Sequence, residues 1–232
     1  MALDPVDDGL WIAEGPLVDF HGFPYPTRTA VARLPAGGLW VWSPVRLSAE
    51  LKRCVDRLGP VTHLVSPNKL HHLSLAEWHG AYPAAKLWAT ASTIEKRSDL
   101  TFEPPLRDEP PVEWQGTFSQ AWFRGSPLVD EVAFVHKPSS TALLADLSEN
   151  FSPAFLAANW KPWQRWVAHA AGIVEGQGKT PLDWRLSWLN HAPGRAAREK
   201  LLAADPERVI MAHGQWIRQG GRDFLARVLA WL

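Results

Sequence analysis

Short apolar segments alternate with helical segments in both halves of the sequence, and this alternation constrains the fold more than any other feature. Apolar runs typical of β-strands cover residues 10–13, 28–34, 39–42, 63–65, 85–89, 121–123, 131–135, 141–145 and 208–211. Apolar residues recur with helical spacing over 47–58, 74–80, 153–171, 192–204 and 221–232. Because strands precede helices in both halves and no linker interrupts the chain, we predict a single domain, residues 1–232. The predicted fold class is α/β (α+β, four-layer): an αβ/βα sandwich of two mixed β-sheets flanked by helices.

The charge balance and the absence of targeting signals restrict the class of partner. The chain has 24 Lys and Arg against 24 Asp and Glu, so it has no overall field that attracts nucleic acid or an anionic membrane. No apolar run approaches the roughly 18 to 20 residues that span a bilayer. The N-terminal sequence MALDPVDDGLW lacks the basic-then-apolar pattern of a secretory signal, and the single Cys54 cannot form an internal disulfide. We therefore predict a cytoplasmic protein with no nucleic-acid or membrane partner.

Tryptophan is unusually frequent, with 14 residues scattered along the chain. This scatter favours core packing over one aromatic binding site. Trp160, Trp163 and Trp166 are spaced by three residues, which predicts a stripe on one face of the helix at 153–171. The stripe is interpreted as core or as the seam of a possible homodimer, with a ligand-facing surface as the alternative.

Histidine and aspartate side chains follow three of the predicted strands: His71 and His72, Asp146, and His213. The carboxyl ends of strands in α/β folds often meet at a rim where ligands bind. Three imidazoles and one carboxylate suit Zn²⁺, Fe²⁺ or a similar ion. These residues are therefore candidate ligands of one metal, although their spacing in sequence is also compatible with four independent loop residues.

Three sequence motifs carry a resemblance to a known family. They are SPNKLHHL at 66–73, FVHKPSSTALLADL at 134–147 and VIMAHG at 209–214. Their order, with a polar corner after a strand, a later strand ending in Asp and a later strand ending in Ala-His-Gly, resembles the metallo-β-lactamase fold superfamily. The motifs themselves are similar to a degenerate branch of it, the DUF4336 proteins. The resemblance covers the chain from about residue 10 to residue 232.

The hallmark of that superfamily is a His-x-His-x-Asp-His corner, and this chain departs from it. Pro67 and Lys69 occupy the two positions of the first histidines, His71 occupies the position of the aspartate, and His72 matches the last histidine. A further histidine of the superfamily is expected near residues 124–126, where none occurs. The first metal position of the superfamily has therefore lost all its histidine ligands.

The resemblance implies a mononuclear site at most, with His71, His72, Asp146 and His213 as ligands of one divalent Zn or Fe ion. A neutral histidine at the aspartate position and the charge of Lys69 nearby both weaken a cation site, so we expect modest affinity or an empty site after purification. Asp146 is predicted to act in catalysis by ligating the ion or orienting a water. Lys69 is predicted to stabilise negative charge or bind a substrate anion.

The resemblance implies a metal-dependent hydrolase that acts on an ester, lactone or phosphoester of a small molecule. One alternative is a non-catalytic relic of the fold that binds a ligand or partner in the same cleft. Another is a mononuclear iron protein with redox activity, because nitrogen and oxygen ligands suit Fe²⁺ as well as Zn²⁺.

Overall fold

Ten strands in two sheets form the centre of the molecule, for which a computed structural model describes residues 2–232. The strands are β1 (Asp4–Asp7), β2 (Leu10–Phe20), β3 (Phe23–Arg33), β4 (Leu39–Trp42), β5 (Val61–Ser66), β6 (Lys86–Ala89), β7 (Phe118–Phe123), β8 (Glu131–His136), β9 (Thr141–Leu144) and β10 (Arg208–Met211). The first sheet has the order β1-β2-β3-β4-β5-β6, and the second has the order β10-β9-β8-β7. Both sheets are mixed: β4, β5 and β6 are parallel, as are β9 and β10, while the remaining pairs are antiparallel.

Eight helices accompany the sheets within residues 2–232. They are α1 (Ala49–Leu58), α2 (Leu75–Ala81), α3 (Ala91–Lys96), α4 (Pro153–Asn159), α5 (Pro162–Ala171), α6 (Leu182–Ser187), α7 (His191–Ala203) and α8 (Gly221–Val228). In the same part of the chain, no helix combines the length and the apolar character needed to cross a membrane.

The main hydrophobic core lies between the two sheets. Trp40 and Trp42 from the first sheet pack in one cluster with Phe134 and Ile210 from the second, and all four are buried. The outer face of the first sheet packs against α1 and α2, and the outer face of the second packs against α7 and α8. The molecule is thus layered as helix, sheet, sheet and helix, which confirms the predicted sandwich of two mixed sheets.

The pairing of β9 with β10 places two predicted site residues side by side. The strands are parallel, and Leu144 pairs with Met211 at their carboxyl ends. Asp146 and His213 each follow two residues later, so both enter the same rim of the sandwich. Parallel neighbours end at the same edge of a sheet, which is why polar residues after such strands meet.

One predicted helix is in fact two. The segment 153–171 was expected to be continuous, but α4 ends at Asn159 and Trp160 and Lys161 have extended backbones before α5 begins. Pro162 causes the break, because it lacks an N–H and disfavours the helical conformation in the residue before it. Its fixed φ suits the first position of the new helix instead.

The break also separates the three tryptophans. Trp160 is buried and donates a hydrogen bond from Nε1 to the Pro24 carbonyl over 2.8 Å. Trp163 and Trp166 lie on α5 and are 57% and 72% exposed. The stripe on one helix is therefore wrong, and core packing is wrong for Trp163 and Trp166. The homodimer stays a prediction.

The hairpin of β2 and β3 is longer than the sequence predicted. The sequence predicts strands over 10–13 and 28–34, yet β2 runs to Phe20, and β3 begins at Phe23 and includes Pro24 and Pro26. These residues pair with β2 alone, whereas β4 pairs with β3 only over 30–33. Proline is tolerated there because the open side of an edge strand requires no N–H donor. The longer hairpin carries Tyr25 and Pro26 to the rim where Asp146 and His213 lie.

Candidate metal centre

Three of the four predicted metal ligands converge at the rim. His71 Nε2 lies 3.2 Å from Asp146 Oδ2, and His213 Nε2 lies 3.1 Å from Asp146 Oδ1. One ligand atom from each of the three residues lies within 4.8 Å of the others. His71 enters from the turn after β5, in the first sheet, while Asp146 and His213 follow β9 and β10 in the second. The centre therefore joins the two halves of the sandwich.

Asp146 is a buried carboxylate held by three donors. Its Oδ2 accepts a hydrogen bond from Asn68 Nδ2 over 2.7 Å, in addition to its contacts with the two imidazoles. Burial alone would raise the pKa of this carboxyl, but the interactions with His71 and His213 outweigh burial and hold the pKa well below its usual range. Asp146 is thus an anion at neutral pH, as a metal ligand requires.

His213 is oriented by a backbone carbonyl on its far side. Its Nδ1 lies 2.6 Å from the Pro26 carbonyl oxygen, which can only accept, so Nδ1 carries a proton. Nε2 then either donates to Asp146 in an imidazolium or presents a lone pair to a cation. Burial lowers the pKa of His213, but the hydrogen bond and charge of Asp146 outweigh it and raise the pKa above its ordinary value. A backbone carbonyl on the second ring nitrogen is a common feature of metal-binding histidines.

Arg28 holds the loop that carries His213. This buried side chain donates hydrogen bonds to the carbonyl oxygens of Met211 and Gly214, on either side of the histidine, and pairs with Glu14. The distance from Nη2 to the Gly214 oxygen is 2.8 Å. Arg28 therefore fixes the backbone that aims His213 at Asp146.

His71 has an equivalent partner on its far nitrogen. Its Nδ1 lies 2.7 Å from Ser43 Oγ, at the end of β4. Ser43 has a φ of 49°, a left-handed conformation that is uncommon outside glycine. The hydroxyl can donate to Nδ1 or accept from it. His71 can therefore give Nε2–H to Asp146, or a lone pair to a cation, without losing its bond to Ser43.

Asn68 supports the centre through hydrogen bonds to Asp146 and to the turn that carries His71, and the sequence patterns did not single it out. Its Oδ1 accepts from the backbone N–H of Leu70 at 2.8 Å and of His71 at 3.3 Å, which shapes the turn after β5. Its Nδ2 donates to both Asp146 and Glu131. Glu131 is fully buried, and burial followed by the charge of Asp146 raises its pKa. The position of Asn68 in the SPNK corner was the available signal, since Asn often hydrogen-bonds the backbone two residues on.

His72 is not part of the group, which corrects the predicted ligand set. Arg97 Nη1 donates to the His72 carbonyl over 2.9 Å and lies 3.4 Å from its ring Nδ1. Burial, followed by the charges of Lys96 and Arg97, lowers the pKa of His72 to about 4. His72 lines the same cavity as the three converging residues, but its ring Nδ1 lies beside the Arg97 guanidinium.

Lys69 also lies away from the centre. It lines a separate, shallower depression together with residues of α3 and Asp130, and it is absent from the walls of the cavity at the metal centre. The structure thus does not bring Lys69 to the three converging residues, and its catalytic role stays a prediction. Lys96 lines both spaces and donates to the Lys69 carbonyl over 3.3 Å, so it is the cation from this region that reaches the cavity.

A cavity of about 320 Å³ opens onto the three converging residues. Its charged or polar lining residues include Tyr25, Ser43, His71, Asp146, Glu149 and His213, with Asp19, Arg46, Lys96 and Asp183 among the others. Its apolar lining comes from Pro16, Val18, Phe20, Pro44, Val45, Leu70, Leu73, Pro181 and Trp184. A concave, largely apolar space with a few convergent polar groups is the usual form of a small-molecule site.

The donor set fits one divalent ion. Two imidazole nitrogens and a carboxylate suit Zn²⁺ and Fe²⁺, and each ligand has a second hydrogen bond that fixes its orientation. Within residues 2–232, no other set of three His, Cys, Asp or Glu residues brings ligand atoms this close together. The arrangement supports a single ion rather than a pair.

Comparison with known proteins identifies the fold. No protein-family model matches this sequence, and no curated protein sequence matches it. Solved structures match over nearly the whole chain. A metallo-β-lactamase from Erythrobacter litoralis, with β-mercaptoethanol in its active site, is 13% identical with a TM-score of 0.65, and the match covers 99% of this chain and 96% of that one.

Two further structures agree with this match. A metallo-β-lactamase from Hirschia baltica is 12% identical with a TM-score of 0.63, over 99% of this chain and 96% of that one. The metallo-β-lactamase FIM-1 from Pseudomonas aeruginosa, in its mono-zinc form, is 9% identical with a TM-score of 0.63, over 99% of this chain and 94% of that one. At such identities the likeness shows the fold alone. The chain has the metallo-β-lactamase fold, as the sequence motifs implied.

Proposed function

We propose that this protein holds one divalent metal ion between His71, Asp146 and His213 and uses it to hydrolyse an ester, lactone or phosphoester of a small molecule. The observation that carries the proposal is the convergence of the three ligand atoms within 4.8 Å at the end of the cavity. A metal-dependent hydrolase is consistent with the fold, and FIM-1 in its mono-zinc form shows that a protein of this fold holds a single zinc. Membership of the DUF4336 branch and a cytoplasmic location belong to the same proposal.

A bound divalent ion supplies a Lewis acid that polarises a substrate oxygen and lowers the pKa of a water toward about 7. The chain supplies the rest. Asp146 and the two imidazoles hold the cation, while Ser43 and the Pro26 carbonyl keep the rings in position. Asp146 would also orient a water beside the site by accepting its hydrogen bond, which is the catalytic role predicted for it.

The cavity limits the class of substrate. Its walls are largely apolar, and the exposed cations Arg46 and Lys96 lie among its lining residues. Lys96, and not the predicted Lys69, is the lysine that lines the cavity. A small, partly apolar molecule fits this space better than a polymer does.

A second candidate is a mononuclear iron centre with redox activity. Two histidines and one carboxylate are the ligand set of non-haem Fe(II) oxygenases, and this is the set that remains once His72 is excluded. Metal analysis separates this candidate from the hydrolase, because iron bound as purified with no hydrolytic turnover favours the redox protein.

A non-catalytic binding protein is favoured by a different observation. The carboxylate of Asp146 already contacts both imidazoles, so the three side chains satisfy one another without a cation. A relic of the fold would keep this ion-pair cluster and the cavity for binding a ligand. Its expected signature is a stable protein with no metal and no turnover.

The decisive experiment combines metal content with turnover. The protein is purified without added metal or chelator, analysed for metals, and assayed against esters, lactones and phosphodiesters. We expect His71→Ala and His213→Ala to lose both the metal and the activity. His72→Ala is the matched control for metal content: it removes an adjacent histidine of the same cavity, and we expect it to retain the ion.

Two results would contradict the proposal. If His71→Ala and His213→Ala kept the metal content of the parent, the site would lie elsewhere. If His72→Ala lost the metal as fully as they did, the assigned ligand set would be wrong. Metal in the parent protein without hydrolysis of any ester, lactone or phosphodiester would remove the hydrolase and leave the redox candidate.

A further inference from the structure

The cavity contains a second buried carboxyl, Glu149, that the metal centre does not use. It is 3% exposed and lines the cavity. Its Oε2 accepts a hydrogen bond from the Tyr25 hydroxyl over 3.2 Å. No other hydrogen bond or ion pair within residues 2–232 reaches its carboxyl oxygens, which leaves Oε1 available to a molecule in the cavity.

Comparison with Glu131 shows how unusual this is within the same molecule. Glu131 is also buried, but it accepts hydrogen bonds from the backbone N–H groups of Ala145 and Asp146 and from Asn68, over 2.7 to 2.9 Å, and it does not line the cavity. Both carboxyl oxygens of Glu131 are therefore occupied by hydrogen bonds within the protein. A buried carboxyl is costly unless it is paired, so the single bond of Glu149 leaves an interaction to be completed.

Tyr25 fixes Glu149 at a defined place relative to the metal centre. Its ring stands edge-on to the ring of His213, with centroids 5.2 Å apart, while its hydroxyl donates to Glu149. Tyr25 thus contacts both His213 and the carboxyl of Glu149. A molecule that occupies the cavity can contact the metal centre and Glu149 at the same time.

The charges around Glu149 indicate what it binds. The charged lining residues of the cavity, apart from the histidines, are four acids and two exposed bases: Asp19, Asp146, Glu149 and Asp183 against Arg46 and Lys96. Neither base forms an ion pair with Glu149. Burial raises the pKa of Glu149 to about 8; His213 opposes this shift, and Asp146, the Tyr25 side chain and Asp183 complete the groups that act on it. A cationic hydrogen-bond donor would relieve the cost of this unpaired carboxyl.

We propose that Glu149 is a specificity-determining residue that binds an ammonium group of the ligand, so that the cavity takes small molecules with an amino group and an apolar body. Calling that ligand a substrate rests on the proposed hydrolytic function. Tyr25 is a positioning residue, because it acts by holding the carboxyl. The apolar walls accommodate the body of the molecule, and Glu149 Oε1 accepts from its ammonium.

The test is a binding measurement that requires no turnover. Hexylammonium chloride and hexan-1-ol share the same alkyl chain and differ in the charged donor. Their affinities for the protein as purified are measured by calorimetry at about pH 9, which lies above the pKa of Glu149 and below that of an alkylammonium, about 10.4. We expect hexylammonium to bind about tenfold more tightly than hexan-1-ol, as a hydrogen bond to a charged group provides.

Variants assign the preference to one residue. Glu149→Gln keeps the size of the side chain and an oxygen for Tyr25, but it places an amide N–H₂ where the free oxygen lay. We expect it to bind the two probes with similar affinity, and unchanged affinity for hexan-1-ol shows that the cavity is intact. Asp183→Asn is the matched control, because it removes an exposed acid of the same cavity and should keep the preference.

The outcomes separate this inference from the hydrolase. Equal binding of both probes to the parent protein, binding of neither, or a preference that survives in Glu149→Gln would overturn the role of Glu149. Loss of the preference in Asp183→Asn to the same extent would assign it to the general charge of the cavity instead. A protein that binds hexylammonium through Glu149 but hydrolyses nothing would retain this inference and lose the proposed function.

Discussion

Removing the hydroxyl of Ser43 tests whether His71 is a metal ligand. Ser43→Ala deletes the 2.7 Å hydrogen bond to His71 Nδ1 and leaves the backbone otherwise unchanged, because Ala and Ser tolerate the φ of 49° to a similar degree. Loss of such a partner of a metal-binding histidine typically weakens metal affinity by about 10- to 100-fold, or about 1.4 to 2.8 kcal/mol. Ser43 lines the cavity, so a water could replace the lost hydroxyl as the partner of His71 Nδ1. Such a water would bring the loss of metal affinity toward the lower value.

The assay is competition for the ion against a chelator of known affinity, with unfolding in urea measured on the metal-free protein. The metal-free variant should lose about 1 to 3 kcal/mol of stability, because the buried Nδ1 of His71 is left without a partner. A double-mutant cycle on the stability of the metal-free protein isolates the cause: in a His71→Ala background, Ser43→Ala should no longer cost this stability. Unchanged metal affinity in Ser43→Ala, or an equal loss of stability in the His71→Ala background, would refute the assignment of His71.

Three further predictions follow from the packing and the electrostatics. Trp160→Ala should cost about 3 to 5 kcal/mol of stability, because it empties a buried site, whereas exposed Trp163→Ala should cost less than about 1 kcal/mol; urea unfolding of the pair measures the difference. Because folding raises the pKa of His213, its stabilising effect is complete below its unfolded pKa of about 6.5 and is lost as pH rises through the folded pKa, while Asp146, whose pKa is lowered, loses its effect as pH falls below about 3.9 toward its folded pKa. The contribution of this ion pair to the stability of the metal-free protein, measured in urea as the difference between the parent and His213→Ala, should therefore be largest between about pH 4 and 6.5, and an equal difference at pH 6 and pH 9 would argue against the ion pair. Metal binding should release a proton at pH values below the folded pKa of His213 and tighten as the pH rises toward it, as calorimetry in two buffers would show. Arg28→Met should weaken metal binding by loosening the loop that carries His213, and rescue of the metal affinity by Arg28→Lys would show that a charged donor to the loop is what matters.

Local patterns in the sequence were sufficient for the architecture and for two residues of the candidate metal centre. The alternation of apolar strands with amphipathic helices predicts a layered α/β structure because burial of one face is a property of each segment by itself. Asp146 and His213 were found because each directly follows a short apolar strand. Those strands turned out to be parallel neighbours with aligned ends, Leu144 beside Met211, so their polar followers meet.

Local patterns failed to predict the position of a side chain when that position depends on a residue distant in sequence. His71 and His72 are identical in type and adjacent in sequence, and nothing in the sequence distinguishes them. In the structure, Asn68 caps the turn and the ring of His71 lies against Asp146, while Arg97, 25 residues away, engages His72. The break between α4 and α5 is a different kind of failure, because Pro162 was a readable local signal.

The sequence by itself therefore determined the layers of this protein, the strands whose ends carry polar residues, and the chemical types available for a metal site. The tertiary structure decided which of those residues meet and what supports them. His213 is oriented by the carbonyl of Pro26, which lies 187 residues away in the chain, and His71 by Ser43, which lies 28 residues away. A hydrogen bond of this kind depends on where two separate strands end in space, and hydrophobic periodicity specifies the face of a strand but not the neighbour at its end.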